Sequence, residues 1–411
     1  MKIIFVYKHQ SGFRNLHSVV TCLLKNTNNW YINVGDRKYT GLIFLDLKKA
    51  FDTVNHMILL KKLHHYSVRG LELGWFKSHL NSRKQCCKVG NKVSSIESVS
   101  HGVPQGSCFG PLLFLIYIND LPFSIKHADV TMYADDTSMT YASKNLHEVK
   151  HKINEDLSNI ESWLMGNKLA LNVAKTQSMI IGSNNLLNKA DTTTDFEISN
   201  EPIEHVHSTK YLGVHIDDKL NWKSQVDALS AKISRAIGLI KYAKRFLPLK
   251  TVQSLYRSLV EPHFRYCCSV WGCVNKTNLD RLQKLQNRAI RTISNARYDA
   301  PVQPLLMRLG LLSIPSLIKE ESAKIVFKSL NNLAPDYMKG LFVKNSQNCT
   351  RVLRNTHCDL RTPFLHTNGG QNCFAYRGAK IWNSLDTELK KIPTLGSFNR
   401  KLKMNLLASQ I

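Results

Sequence analysis

The chain has 411 residues, enough for two or three domains with sizeable cores, and its apolar share of 43% is ordinary for a globular protein. Lysine and arginine number 56 against 30 aspartates and glutamates, a net charge of +26 that selects a polyanionic partner, nucleic acid before an acidic membrane surface. No apolar run reaches the roughly 18 residues a membrane span needs, and the 10 cysteines contain no CxxC pair, which argues against a secreted disulfide scaffold and for an intracellular protein of the nucleus or cytoplasm.

Residues 1–8 read as a strand of the mature chain, because their apolar run is shorter than a signal peptide's. After Gln10-Ser-Gly-Phe-Arg14, an apolar helix is expected around Val19–Leu24, then a polar loop from Lys25 to Lys38. Gly41–Asp46 is an apolar run that reads as a buried strand ending on a carboxylate. Apolar positions at helical spacing predict a helix over Lys48–Tyr66, and a second over Leu71–Leu80. Strands are expected at Gln85–Val89 and Val93–Val99. The loop His101-Gly-Val-Pro-Gln-Gly-Ser107 carries two glycines and a proline, which let backbone approach a ligand or cap the helix that follows. That helix, Pro111–Asn119, is apolar nearly all round and therefore buried.

Asp129–Tyr141 has the pattern of a β-hairpin, with Ala134-Asp135-Asp136-Thr137 as its turn. Leu146–Met165 is a helix with Val149, Ile153, Leu157, Ile160 and Leu164 on one face. Residues 167–181 contain two short strands around a turn, and Ser208–Asp218 a further hairpin. From Trp222 the chain turns helical, with further helices at Thr251–Val260 and Leu279–Ile293. Val302–Leu309 and Ser313–Leu333 are also helical. Residues 343–375 are loop-rich, a helical region begins at Tyr376, and Leu395–Leu407 is a basic amphipathic helix.

An adjacent Asp pair at a turn tip is by itself unremarkable, since Asp favours turns through bonds to its own backbone. Asp46 changes the weighing. A carboxylate at the end of a buried strand costs several kcal/mol unless a cation or hydrogen bonds compensate. Meeting Asp135 and Asp136 at one sheet edge, it would help hold two Mg²⁺ or Mn²⁺ ions, whose preference is for a few carboxylates plus phosphate oxygens. Cys267, Cys268 and Cys273 lie near His263 in sequence, but the spacing fits no common zinc module.

Arg281, Lys284, Arg288 and Arg291 recur on one face of the helix over Leu279–Ile293. Between Lys210 and Ala300 there are 17 Lys and Arg against 6 Asp and Glu. A solvated helix face needs no such bias of sign, whereas a phosphate backbone explains it.

Taken together, these stretches resemble the reverse transcriptases of non-LTR (LINE-like) retrotransposons. Phe44-Leu-Asp-Leu-Lys-Lys-Ala-Phe-Asp-Thr-Val54 resembles the family's first catalytic motif, and Gly102-Val-Pro-Gln-Gly-Ser-Cys-Phe-Gly-Pro-Leu-Leu113 its second. Tyr133-Ala-Asp-Asp136 resembles the metal-binding box. Asn167-Lys-Leu-Ala-Leu-Asn with Lys175-Thr resembles the fourth motif, and Tyr211-Leu-Gly-Val-His-Ile the primer-grip hairpin. Gln10-Ser-Gly-Phe-Arg14 is similar to a segment of the fingers.

The resemblance implies an α+β right-hand polymerase fold. Residues 1–40 would be partial fingers, 41–206 the palm, with a ferredoxin-like sheet and a finger insertion near 68–100, and 207–300 the primer-grip-like hairpin and helical thumb. Residues 301–411 would form a mainly helical region without an assigned role. The implied activity is RNA-directed DNA polymerisation, with an RNA template, a DNA primer and dNTPs as partners and no membrane. Asp46, Asp135 and Asp136 would bind the two metals. Phe51 would stand where the family places an aromatic gate against a ribose 2′-OH. Gly102, Pro104, Gln105 and Gly106 would border the incoming nucleotide and template, and Lys175 would approach the leaving pyrophosphate. Asp52 also recurs in the motif but reads as a helix-start residue. Cys108-Phe109 depart from the family's small aliphatic pair. Family members carry more fingers sequence upstream and usually an endonuclease domain, so the chain reads as N-terminally truncated. The alternative expectation is a catalytically inactive, nucleic-acid-binding remnant.

Overall fold

The computed structural model describes residues 6–81, 83–189, 196–345 and 359–410. Most of the strand expected at residues 1–8 therefore lies outside the described residues. The chain divides into two compact units. The first comprises residues 1–18, 38–180 and 185–206, and the second residues 19–37, 181–184 and 207–411. The fold is α+β.

The first unit is built on a mixed five-stranded sheet. Its strands are β1 (Tyr39–Leu45), β2 (Asp129–Tyr133), β3 (Asp136–Ser143), β4 (Gln177–Ile181) and β5 (Glu204–His205), in the order β5-β4-β1-β3-β2. β1 runs antiparallel to β3, β2 antiparallel to β3, and β5 parallel to β4. Every residue of β1 is buried, which explains its unbroken apolar character. The stripe Val149, Ile153, Leu157, Ile160 and Leu164 of the helix Leu146–Gly166 packs into the same core. Gly41 makes the close approach possible, because a Cβ there would stand 2.3 Å from Ile153 Cδ1. The helix Phe109–Ile118 contributes Leu113, Phe114, Ile116, Tyr117 and Ile118 to that core. Each such side chain contributes about 1.5–3 kcal/mol of burial.

Three expectations for this unit are corrected. The helix predicted over Lys48–Tyr66 covers only His56–His65. Asn55 caps it, its side chain accepting from the Ile58 N–H, so the chain stays in turns over Lys48–Thr53. Asp52 is consequently a turn residue, not a helix start. The two strands predicted between Gln85 and Val99 are instead two nested short pairings, Lys84–Gln85 with Glu97–Ser98 and Lys88–Val89 with Lys92–Val93. All of these residues are exposed, so no core face extends the ladders.

The second unit is largely helical. The polar stretch from Lys25 onward is not a loop but continues one helix, Val19–Gly35. Tertiary packing overrides the weak helix propensity of its asparagines. Asn26, Thr27, Asn28, Trp30 and Tyr31 are buried, and Asn28 Oδ1 accepts the Ala375 N–H at 2.9 Å. Tyr31 is fixed by a bond from Trp222 Nε1 at 2.6 Å and donates to the Leu220 carbonyl at 2.9 Å. The hairpin Ser208–Tyr211/Val214–Asp217 turns through Leu212 and Gly213, both at positive φ. It leads into the helix Lys223–Ala243, and Lys276–Ile293, Ile314–Leu330 and Leu395–Ala408 follow. No helix among the described residues is long and apolar enough to cross a membrane.

Candidate active site

The register of the sheet places the predicted carboxylates. Leu45 on β1 pairs with Thr137 on β3, so Asp46 is the next step along β1, level with Asp136. Tyr133 pairs with Asp136, leaving Ala134 and Asp135 as the hairpin loop. Asp136 thus belongs to a strand, which corrects the expected four-residue turn. All three aspartates gather at one end of β1 and β3.

The end of β1 is held from the side. The Asn172 N–H donates to the Asp46 carbonyl at 2.7 Å, the Lys48 N–H to Ala170 at 2.8 Å, and Asp46's own N–H to Thr176 Oγ1 at 3.3 Å. Leu47 and Leu171 form an isolated bridge. The segment resembling the fourth motif therefore braces the Asp46 backbone. Lys175, one residue before the buried Thr176, points into solvent.

Electrostatics records the crowding. Asp136 is pushed up from 3.8 to about 6, first by burial and then by Asp135 and Asp46. Asp135 is raised by burial, with a further push from Asp46, against backbone bonds that lower it. No cation figures among the groups that shift them. Oxygen donors of one sign, partly open to solvent, suit a hard divalent ion that keeps waters and phosphate oxygens. As they stand, no three His, Cys, Asp or Glu side chains among the described residues converge on one metal position, the cysteines near His263 included.

The hairpin loop is itself unusual. Ala134 has φ +58°, a left-handed conformation that costs a non-glycine residue about 1–2 kcal/mol. The buried Gln10 brackets it: Oε1 accepts the Ala134 N–H at 2.8 Å, and Nε2 donates to the Ala134 carbonyl at 3.1 Å. The sequence placed Gln10 only in a stretch similar to the fingers and gave it no role at the site. A buried glutamine whose partner lies 124 residues away leaves no local signal.

The loop before the helix Phe109–Ile118 lies on the same unit. Gly102 sits at φ +85°, its N–H bonded to the Val54 carbonyl at 2.8 Å, and a Cβ there would meet Asp52 backbone at 2.8 Å. Gly106 is also left-handed, at φ +80°, in open space. Gln105 Nε2 donates to Asp52 Oδ1 at 2.8 Å, which joins the two motif loops. Pro104 and Gln105 line a cavity of about 540 Å³ whose wall also carries Lys49, Arg83 and Lys84. Phe51 is partly buried and stacked on Phe114 with ring centroids 4.3 Å apart.

The basic stripe lies in the second unit. Lys284 and Arg288 face solvent, while Arg281 pairs with Asp227, and Arg291 Nε donates to the Ala300 carbonyl at 2.9 Å. Two of its four members thus also hold the helix to its neighbours.

Comparison with known proteins identifies the family. The family model described as reverse transcriptase (RNA-dependent DNA polymerase) matches residues 4–216, just over half of the chain. The chain is 27% identical over 329 residues to the probable RNA-directed DNA polymerase from transposon X-element of Drosophila melanogaster, covering 77% of this chain and 35% of that protein. It is 29% identical over 347 residues to the RNA-directed DNA polymerase from mobile element jockey of the same organism, covering 82% and 36%. The chain thus spans about a third of the length of these relatives. A superposition on telomerase from Candida albicans covers 82% of this chain and 54% of that one at TM-score 0.36 and 13% identity. The family model matched over residues 4–216 leads to one conclusion: the chain belongs to the reverse transcriptase family, with its relatives in non-LTR retrotransposons.

Proposed function

We propose that this chain adds deoxynucleotides to a primer 3′-OH under the direction of an RNA template, inside the cell. The observation that carries the reading is the gathering of Asp46, Asp135 and Asp136 at one sheet edge, with the Asp136 carboxyl raised to about 6 by burial and its two neighbours. These three residues would hold two Mg²⁺ or Mn²⁺ ions. Bound there, the pair would lower the pKa of the primer hydroxyl and neutralise charge building on the phosphates. Gly102, Pro104, Gln105 and Gly106 would border the nucleotide and template, next to the basic wall of the cavity. Phe51, held against Phe114, would meet the sugar and disfavour a 2′-OH. Lys175 is free of the core and would deliver a proton to the departing pyrophosphate. Arg281, Lys284, Arg288 and Arg291 would follow the phosphate backbone of the primer–template duplex.

The test is dTTP incorporation on poly(rA)/oligo(dT) with Mg²⁺ or Mn²⁺, beside the Asp135→Asn/Asp136→Asn double variant. Incorporation by the intact chain alone supports the proposal, and equal incorporation by both proteins sinks it.

A second reading, a nucleic-acid-binding protein without catalysis, rests on the basic stripe by itself, whose Lys284 and Arg288 face solvent. Salt-dependent duplex binding with no incorporation would select it. In either reading, replacing Lys284 and Arg288 with alanine lowers the slope of log K against log salt by roughly 0.9 per lost phosphate contact.

A further inference from the structure

We propose that Gln10 is a positioning residue for the catalytic hairpin: its carboxamide locks Ala134 in the left-handed conformation and so sets the direction in which Asp135 and Asp136 leave the loop. The inference rests on the polymerase reading of those aspartates and goes beyond it, since Gln10 touches neither metal nor substrate in that reading.

The contact has the form of a backbone ladder made by a side chain. Gln10 Oε1 accepts two amides, from Gly12 at 2.8 Å and from Ala134 at 2.8 Å, while Nε2 donates to the Ala134 carbonyl at 3.1 Å. Both polar groups of the one strained loop residue are thereby paired. The flanking backbone repeats the pairing. The Ser11 N–H donates to the Met132 carbonyl at 2.8 Å, and the Met132 N–H to the His9 carbonyl at 3.1 Å. Residues 9–11 thus lie along β2, with Gln10 bridged to Met132 in parallel.

Glycine at position 12 lets the segment sit this close, because a Cβ there would stand 2.3 Å from the Ala134 nitrogen. Gln10 and Ala134 are 1% and 5% exposed, so no water can substitute for the carboxamide without opening the packing. A two-residue hairpin loop with a positive φ at its first position ordinarily takes glycine, asparagine or aspartate. Here alanine occupies it, and the conformational preference is supplied from outside the hairpin. That separates this contact from general core packing: what it fixes is the dihedral immediately before Asp135.

The test compares Gln10→Met, which keeps volume and removes all three bonds, and Gln10→Glu, which keeps the acceptor and removes the donor to the Ala134 carbonyl. The control is Tyr7→Phe, which removes another bond from the same segment to β2, that of the Tyr7 hydroxyl to the Val130 carbonyl at 3.3 Å. Mn²⁺ alone is titrated into the full chain and followed by its EPR signal, and steady-state incorporation is split into kcat and the dTTP KM, all below the melting point of each protein. We expect both Gln10 variants to bind Mn²⁺ several-fold more weakly and to lose about tenfold in kcat, with KM changed less than twofold. Tyr7→Phe should stay within twofold of wild type in every parameter. Gln10 variants that melt lower but retain wild-type Mn²⁺ affinity and kcat would overturn the proposal, reducing Gln10 to a packing residue. A wild-type chain that binds Mn²⁺ but incorporates nothing counts against the polymerase reading alone, and the Mn²⁺ arm still decides on Gln10.

Discussion

Replacing Asp136 with asparagine should stabilise the metal-free protein while abolishing the proposed nucleotide incorporation. Asp136 moves from the ordinary 3.8 to about 6 on folding, because burial and the charges of Asp135 and Asp46 disfavour its ionised form. At about 1.4 kcal/mol per pH unit, that rise corresponds to about 3 kcal/mol if nothing screens it. The side chain lies against protein on one side but stays in part open to solvent, so water and salt reduce that to on the order of 1 kcal/mol. The sign follows from proton linkage. A carboxyl whose folded-state pKa is raised binds its proton more tightly in the native state, so the penalty is absent below pH 3.8, grows between 3.8 and 6, and is full above 6. Urea unfolding in EDTA, followed by tryptophan fluorescence from pH 4 to 8, measures it. Asp136→Asn should be about 1 kcal/mol more stable than wild type at pH 7.5, and the gap should close as the pH falls to 4. A variant equally or less stable at pH 7.5, or a gap that widens with acid, would refute the electrostatic reasoning.

Other substitutions probe the scaffold and the site. Asp156 is fully buried, and its two oxygens accept the Lys126, His127 and Ala128 amides at 2.8–3.3 Å. Asp156→Ala should cost roughly 3 kcal/mol by leaving those amides without their charged acceptor, read as a lower urea midpoint. Burial raises Glu320, but bonds from Arg265 at 2.9 Å and the nearby Lys324 outweigh it and hold its carboxyl below the usual 4.5. Its contribution is therefore complete above pH 4.5 and lost as the pH falls further, so the melting difference between wild type and Glu320→Gln should shrink on acidification. Phe51→Val should raise ribonucleotide incorporation relative to deoxynucleotide by tenfold or more. It should also lower stability by about 1–3 kcal/mol through the lost stack on Phe114. Unchanged sugar selectivity would leave Phe51 a core residue only.

The parts of this molecule that were legible in the sequence are those where pattern and chemistry coincide locally. β1 announced itself as an apolar run because all seven of its residues are buried. The hairpin showed through alternation, and the helix Leu146–Gly166 through its apolar stripe. The Asp pair gained meaning only beside Asp46, and the register between β1 and β3 supplies the physical reason. What stayed hidden depends on distant partners. The asparagine-rich half of the helix Val19–Gly35 is helical because its polar side chains are buried against other parts of its unit. Ala50 and Val54 continue the helical spacing of Met57, Ile58 and Leu60, yet Asn55 caps the helix later and starts it at His56. Asp156, on the helix Leu146–Gly166, anchors the loop before β2 through amides about 30 residues away, which no local pattern marks. Gln10 required knowledge of the left-handed Ala134, which no alanine in a sequence advertises.

Templated DNA synthesis by this chain is measured by extension of a DNA primer on a defined RNA of mixed sequence, with the product sequenced. The intact chain with Mg²⁺ or Mn²⁺ should make a DNA strand complementary to the RNA, and the strand should be absent when Asp135 and Asp136 are both asparagine. No extension, or a product whose sequence does not follow the template, would contradict it.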